Sequence, residues 1–92
     1  MKDGHYFDEA KDEVYVQNGV YHRKDGPAVI LGDNSRFWYI KGKFHREDGP
    51  AVIYFNDSKE YWLNDKYYPK VKNDFQWLME VQKMKRKQKE AK

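Results

Sequence analysis

The chain reads as a mainly β protein of the α+β class, an antiparallel meander of repeated β-hairpins closed by one C-terminal α-helix. Three observations predict it. The stretch HRKDGPAVI at residues 22–30 returns as HREDGPAVI at residues 45–53, eight of nine positions matching at a spacing of 23, and an internal period of that length governs the whole fold. Glycine- and asparagine-bearing turns punctuate the repeats between short aromatic or β-branched runs. After Pro69 the period changes to a helical one, free of Gly and Pro to the end.

Each repeat continues past the matched residues through a polar loop to a Trp: residues 22–44 form the first copy and residues 45–67 the second. Aligning Trp38 with Trp62 requires one extra residue before Trp62 and one fewer after it, and sets Tyr68 where a third His is expected. Upstream, residues 15–21 align with residues 38–44, so the array reads as a half repeat, two whole repeats and a degraded end. Residues 14–69 are its span. The acidic stretch 1–13 is expected to be flexible, and residues 70–92 to form the helix with its basic tail.

Hairpin tips are expected at Asn18-Gly19, Lys41-Gly42 and Asn64-Asp65, where a two-residue turn needs positive φ. Asp-Gly-Pro at residues 25–27 and 48–50 is a second breaker, read here as a φ-free glycine followed by a proline that withholds its amide. The polar stretches 32–35 and 56–58 form a third loop. Strands of 4–6 residues are expected between them, joined by short turns.

A strand ending in Tyr, an x-Gly-Lys turn, an aromatic residue, His, and a loop with Ser, as in Tyr39, Gly42, Lys43 and His45 with Ser35 and Ser58, resembles the membrane occupation and recognition nexus (MORN) repeat over residues 15–68. The chain departs from that pattern at Arg23 and Arg46, where the family has Gly, and at Asp-Gly-Pro-Ala, where it has Gly-x-Gly. The resemblance implies hairpin architecture and carries partner or membrane roles only weakly.

Composition bounds the rest. Ninety-two residues make one domain, the formal charge is +3, and 17% of the residues are aromatic, enough rings to build a thin core between hairpins. With no cysteine, disulfides and Cys-based zinc are excluded, which fits a cytoplasmic protein. No apolar run reaches the ~18 residues of a spanning helix, and the polar, acidic start does not read as a signal peptide. The small lysine-rich chain with degenerate repeats fits a phage- or bacterial-encoded binder or inhibitor of another protein.

In the C-terminal segment Asn73 and Gln76 form a helix start of capping-box type. Phe75, Leu78 and Met79 share one face, and Trp77, Val81 and Met84 a neighbouring one, an arc wider than the ~100° of a simple surface helix. The helix is expected to cover the sheet face carrying Trp38, Ile40 and Trp62, which leaves Phe37, Tyr39 and Tyr61 exposed as partner-binding anchors. The Trp77, Val81 and Met84 stripe is the alternative, as a partner or self-association site. Lys85, Arg86, Lys87 and Lys89 are the alternative nucleic-acid contacts, although cations at a helix C-terminus are also a common solvated end.

Paired His22 and His45, each followed by Arg and Asp, offer imidazoles and carboxylates to a metal. Repetition favours a scaffold role, with Asp accepting from backbone amides or from Arg inside its own turn and His donating to a carbonyl, because a catalytic constellation needs different residues in different roles. No phosphate loop, nucleophile elbow, HExxH or cysteine nucleophile occurs. No cofactor, metal or catalytic residue is therefore expected, and the expected function is a non-catalytic protein–protein interaction module.

Overall fold

The structure is a computed structural model that describes residues 1–90, with side chains through Arg86. Eleven short strands precede one helix: β1 (Gly4–Phe7), β2 (Glu13–Gln17), β3 (Val20–Tyr21), β4 (Val29–Ile30), β5 (Arg36–Phe37), β6 (Tyr39–Ile40), β7 (Lys43–Phe44), β8 (Val52–Ile53), β9 (Lys59–Glu60), β10 (Trp62–Leu63), β11 (Lys66–Tyr67) and α1 (Asp74–Glu90). All pairings are antiparallel, so the mainly β hairpin architecture with a C-terminal helix is what forms. The long sheet runs β1-β2-β4-β5-β8-β9, with β3 on β2; β6-β7 and β10-β11 are separate hairpins. No described helix is long and apolar enough to cross a membrane.

The 23-residue period is stricter than the Trp alignment allows. Positive φ recurs at Lys11, Asn34 and Asp57, at Asn18, Lys41 and Asn64, and at Gly19, Gly42 and Asp65, each triplet stepping by 23 without a gap. Backbone bonds step likewise: His45 N donates to Trp38 O and Tyr68 N to Tyr61 O, while Arg23 N donates to Tyr39 O and Arg46 N to Trp62 O. Tyr15, Trp38 and Tyr61 are therefore equivalent, and so are Val16, Tyr39 and Trp62. The extra residue before Trp62 does not exist.

The same step carries the array back into the acidic N-terminus. Residues 4–26, 27–49 and 50–72 are three successive repeats, so β1 stands where a flexible segment is expected from sequence. The turn at residues 8–12 has the backbone of its successors: Lys11 N donates to Asp8 O as Asn34 N does to Leu31 O and Asp57 N to Tyr54 O. Different side chains close it. The Asp8 carboxylate accepts from the Ala10 and Asp12 amides, whereas Asp33 accepts from Ser35 and Asn56 from Ser58. The bond from Ser35 holds the Asp33 carboxyl below its usual range.

The three hairpin tips are as expected, all with two consecutive positive φ values, 54° and 77° at Asn18-Gly19, 52° and 78° at Lys41-Gly42, and 50° and 67° at Asn64-Asp65. Both residues lie in the left-handed region, as in the turn whose twist matches that of paired strands. The Asp-Gly-Pro breakers work differently from the sequence reading. Neither Gly26 nor Gly49 has positive φ; instead a Cβ at Gly26 would meet Arg23 Cζ at 2.8 Å, and one at Gly49 would meet Arg46 Cζ at 2.9 Å. Glycine is there to make room for a guanidinium.

Alternation along the strands builds two faces. On one, Val14, Val16 and Val29 are buried among Tyr6, Tyr21, Leu31, Phe37 and Tyr39. On the other, Tyr61, Trp77 and Val81 are buried with Leu63, Tyr68, Val71 and Met84 around them. The molecule measures 45 × 32 × 18 Å, and since packed layers are about 10 Å apart the thin dimension holds no more than two.

Candidate functional site: an aromatic row on the helix-free face

The face under the helix is filled by a repeating stack. Arg23 lies over the Tyr15 ring and Arg46 over the Trp38 ring, each with its guanidinium carbon 4.0 Å from the ring centre. Each guanidinium donates to the Asp of its own turn at 3.0 Å, Arg23 to Asp25 and Arg46 to Asp48, and to a proline carbonyl, Pro27 O at 3.2 Å and Pro50 O at 3.1 Å. The carboxylate role expected of Asp25 and Asp48 is thus what forms. The two departures from the MORN pattern, Arg after His and Asp-Gly-Pro in the loop, touch each other.

In the third repeat Pro69 replaces the arginine, and the helix supplies the cover. Trp77 packs on Tyr61 at 5.5 Å and on Tyr68 at 5.1 Å between ring centres, and its indole N–H donates to Arg46 O at 2.8 Å. Asn73 Oδ1 accepts from the Gln76 amide at 2.9 Å, and Gln76 Oε1 accepts from the Lys72 amide at 2.7 Å, a start of the expected capping-box type except that the glutamine reaches the residue before the cap. Further along, Lys85 pairs with Glu47 at 2.7 Å. That ammonium, with His45 beside it, holds the Glu47 carboxyl below its usual range.

These contacts and the burial of the rings bear on several expectations. Tyr61, expected as an exposed anchor, is 3% exposed beneath Trp77, with its hydroxyl donating to Asp74 Oδ1 at 2.8 Å; burial and that carboxylate push the phenol up to about 12. Trp77 and Val81, the alternative partner stripe, are buried in the chain's own core, while Met84 is half-buried and accepts the Tyr68 hydroxyl through sulfur. Lys85, one of the alternative nucleic-acid contacts, is paired with Glu47 and ties the helix to the segment before β8. Arg86 is exposed, and the side chains of Lys87 and Lys89 lie outside the described residues. Trp38 and Trp62, expected to be buried together under the helix, are each half-buried and lie on opposite faces.

The histidines also act as scaffold, with reversed polarity from the expectation. His22 Nδ1 accepts the Lys41 amide at 2.9 Å and His45 Nδ1 accepts the Asn64 amide at 3.1 Å, so each ring is an acceptor for the next hairpin tip and carries its proton on Nε2. Those lone pairs are already used within the fold.

The opposite face carries what sequence reasoning only half found. Cross-strand pairing places Val16 beside Tyr21, Tyr39 beside Phe44 and Trp62 beside Tyr67. Between hairpins the rings continue: Tyr21–Tyr39 at 5.2 Å, Tyr39–Phe44 at 4.6 Å, Phe44–Trp62 at 5.0 Å and Trp62–Tyr67 at 5.1 Å. Phe37 joins at 6.2 Å from Phe44 and 6.3 Å from Tyr54. Seven rings make one contiguous row. Phe37 and Tyr39, expected as exposed anchors, lie in it half-buried; Trp62 takes the place assigned to Tyr61, and Tyr21, Phe44, Tyr54 and Tyr67 were missed, although a strict 23-residue spacing aligns Tyr21, Phe44 and Tyr67.

The rings are partly open to water, Tyr54 at 36% and Tyr67 at 45% exposed, with the rest half-buried. Burial in the row raises the Tyr39 hydroxyl above its ordinary value, and burial with donation to Glu60 does the same for Tyr54. Phe37, Tyr39, Phe44 and Trp62 each meet at least two other rings, Tyr21, Tyr54 and Tyr67 end the row with one each, and the tyrosine hydroxyls give it polar tips on an apolar body. No protein-family model, curated protein or solved structure matches the chain.

Proposed function

We propose that the chain is a non-catalytic protein-binding module that engages its partner through the helix-free face. The observation that supports this reading is the seven-ring row: a contiguous, pre-ordered aromatic surface is the composition that dominates binding hot spots, because Tyr and Trp bury large area while losing little side-chain entropy. The repeat architecture supports a divergent MORN-like array in which the Arg and Asp-Gly-Pro clamp replaces the family's glycines. A small chain that carries its own aromatic row on a thin sheet is suited to occupying the surface of another protein.

The test is capture from a candidate host lysate, with and without nuclease, by the wild-type chain and by Tyr54→Ala/Tyr67→Ala. These two rings are the most exposed of the row, so the variant is expected to keep the circular dichroism and melting temperature of the wild type while losing a nuclease-resistant protein partner. Capture that nuclease removes, or that the double variant retains in full, refutes the assignment.

A further inference from the structure

The long sheet ends in two edges, β1 and β9, and the strict repeat makes them complementary. Across the sheet, directly opposed residues form the row Phe7, Glu13, Ile30, Arg36, Ile53, Lys59. Apolar and charged side chains alternate in it without exception, so Glu13 and Arg36 are each flanked on both sides by an apolar neighbour. Lys59 has Ile53 on one side and no strand on the other. Phe7, at the opposite end, is 69% exposed and is of the kind the row calls for next.

Two further contacts recur at each internal junction and stop at the same edges. The Gly32 amide donates to Asp12 Oδ1 at 3.1 Å and the Phe55 amide to Ser35 Oγ at 3.0 Å; Asp12, Ser35 and Ser58 are equivalent, as are Glu9, Gly32 and Phe55. The next such stitch would join a Glu9 amide to the exposed Ser58 hydroxyl. The Tyr15 amide donates to Ala28 O and the Trp38 amide to Ala51 O, and the next in that series would join the Tyr61 amide to a His5 carbonyl. A residue of each missing pair sits on the β1 side and the other on the β9 side.

We propose that a second copy of this chain adds its β1 edge to β9 of the first, in the register that places Phe7 opposite Lys59 and Tyr6 opposite Glu60. The contact repeats the internal junction between β5 and β8. It is heterologous, one end meeting the other, so addition continues from copy to copy rather than closing as a symmetric dimer. Charge favours it as well: Asp8 and Glu9 directly follow Phe7 on the incoming copy, and Lys59 stands opposite Phe7. The edges are short and the contact small, which places it with weak, transient interfaces.

Sedimentation equilibrium over rising concentration is the test. The wild-type chain is expected to show a weight-average mass that rises past twice its 11.2 kDa. Phe7→Lys sets like charges opposite each other at the contact and is expected to weaken association about tenfold, whereas Phe7→Glu, which removes the same ring, is expected to retain or strengthen it. Phe7→Lys/Lys59→Glu is expected to restore what Phe7→Lys loses. Circular dichroism confirms folding of each, and since Phe7 is exposed the pair of opposite-charge variants separates register from loss of fold. A wild-type chain that stays monomeric at millimolar concentration overturns the proposal, as does a mass that stops at the dimer, or association that Phe7→Lys leaves unchanged or the double variant does not restore.

Discussion

Replacing Gly49 by Ala should change sign with the residue at position 46. Gly49 does not use the left-handed region, so nothing in its backbone forbids a side chain. The three nearest neighbours of an added Cβ are all atoms of the Arg46 guanidinium, the closest at 2.9 Å. In the wild type the methyl group must therefore displace the clamp. That clamp combines a cation–π contact worth about 1 kcal/mol with a bond to the Pro50 carbonyl worth about 1 kcal/mol. The pair with the exposed Asp48 carboxylate adds about 0–1 kcal/mol. Arg46→Ala should then cost about 2–3 kcal/mol, and Gly49→Ala about 1 kcal/mol, since the arginine can swing away and part of the loss is offset by a stiffer unfolded chain. With Arg46→Ala already present the obstruction is gone, and Gly49→Ala should stabilise by about 0.4–1 kcal/mol. Urea unfolding of the four proteins, at constant m-value, measures the cycle. Additive single effects, or a Gly49→Ala that costs the same in both backgrounds, would refute the idea that this glycine exists to admit the guanidinium.

Trp77→Ala should cost about 3–5 kcal/mol, because the indole is fully buried and its N–H is bonded to Arg46 O; in a domain with roughly 5–10 kcal/mol to spare the variant should melt far below the wild type. His45→Ala should cost only about 1 kcal/mol, since the Asn64 amide it releases is exposed and can bond water instead; chemical denaturation reads the difference between the two. Tyr61 makes stability fall in alkali. Its phenol is raised in the folded chain to about 12, so its contribution is complete below the ordinary tyrosine range, near pH 10, and is lost as pH climbs from there through the folded value. Tyr61→Phe should remove the latest-titrating phenol from an absorbance titration, and an unchanged titration would contradict the Asp74 contact.

The turns were legible because their chemistry is carried by residue type. Asn18-Gly19 and Lys41-Gly42 need positive φ, and glycine announces it. The faces were not legible, for a physical reason: matching Trp38 to Trp62 by ring identity inserts one residue, and in a strand a slip of one exchanges the two faces. That slip sent Tyr61 to the solvent side and Trp62 under the helix. The strict period corrects it, pairing Tyr61 with Trp38 and Trp62 with Tyr39. The first repeat was hidden differently, since Gly4, His5, Tyr6 and Phe7 share no residue with Pro50, Ala51, Val52 and Ile53. Its turn is closed from Asp8 rather than from the position of Asp33 and Asn56, so geometry persisted while the residues that signal it moved.

The clamp and the helix solve one problem by two routes, and that bears on which face can bind. Tyr15, Trp38 and Tyr61 each present a ring that needs cover. In the first two repeats the cover is the arginine that follows His, drawn down by its own Asp-Gly-Pro turn; in the third, where Pro69 stands in its place, it is Trp77. A single helix therefore suffices, because it has one ring left to shelter rather than three, and the remainder of its inner face can be used to fix its direction through Lys85 and Glu47. No equivalent device exists among the described residues for Tyr39, Phe44 and Trp62. Their ring contacts are with one another and with Tyr21, Phe37 and Tyr67 of the same row, which leaves that row as the aromatic surface over which the described residues place no helix or arginine clamp.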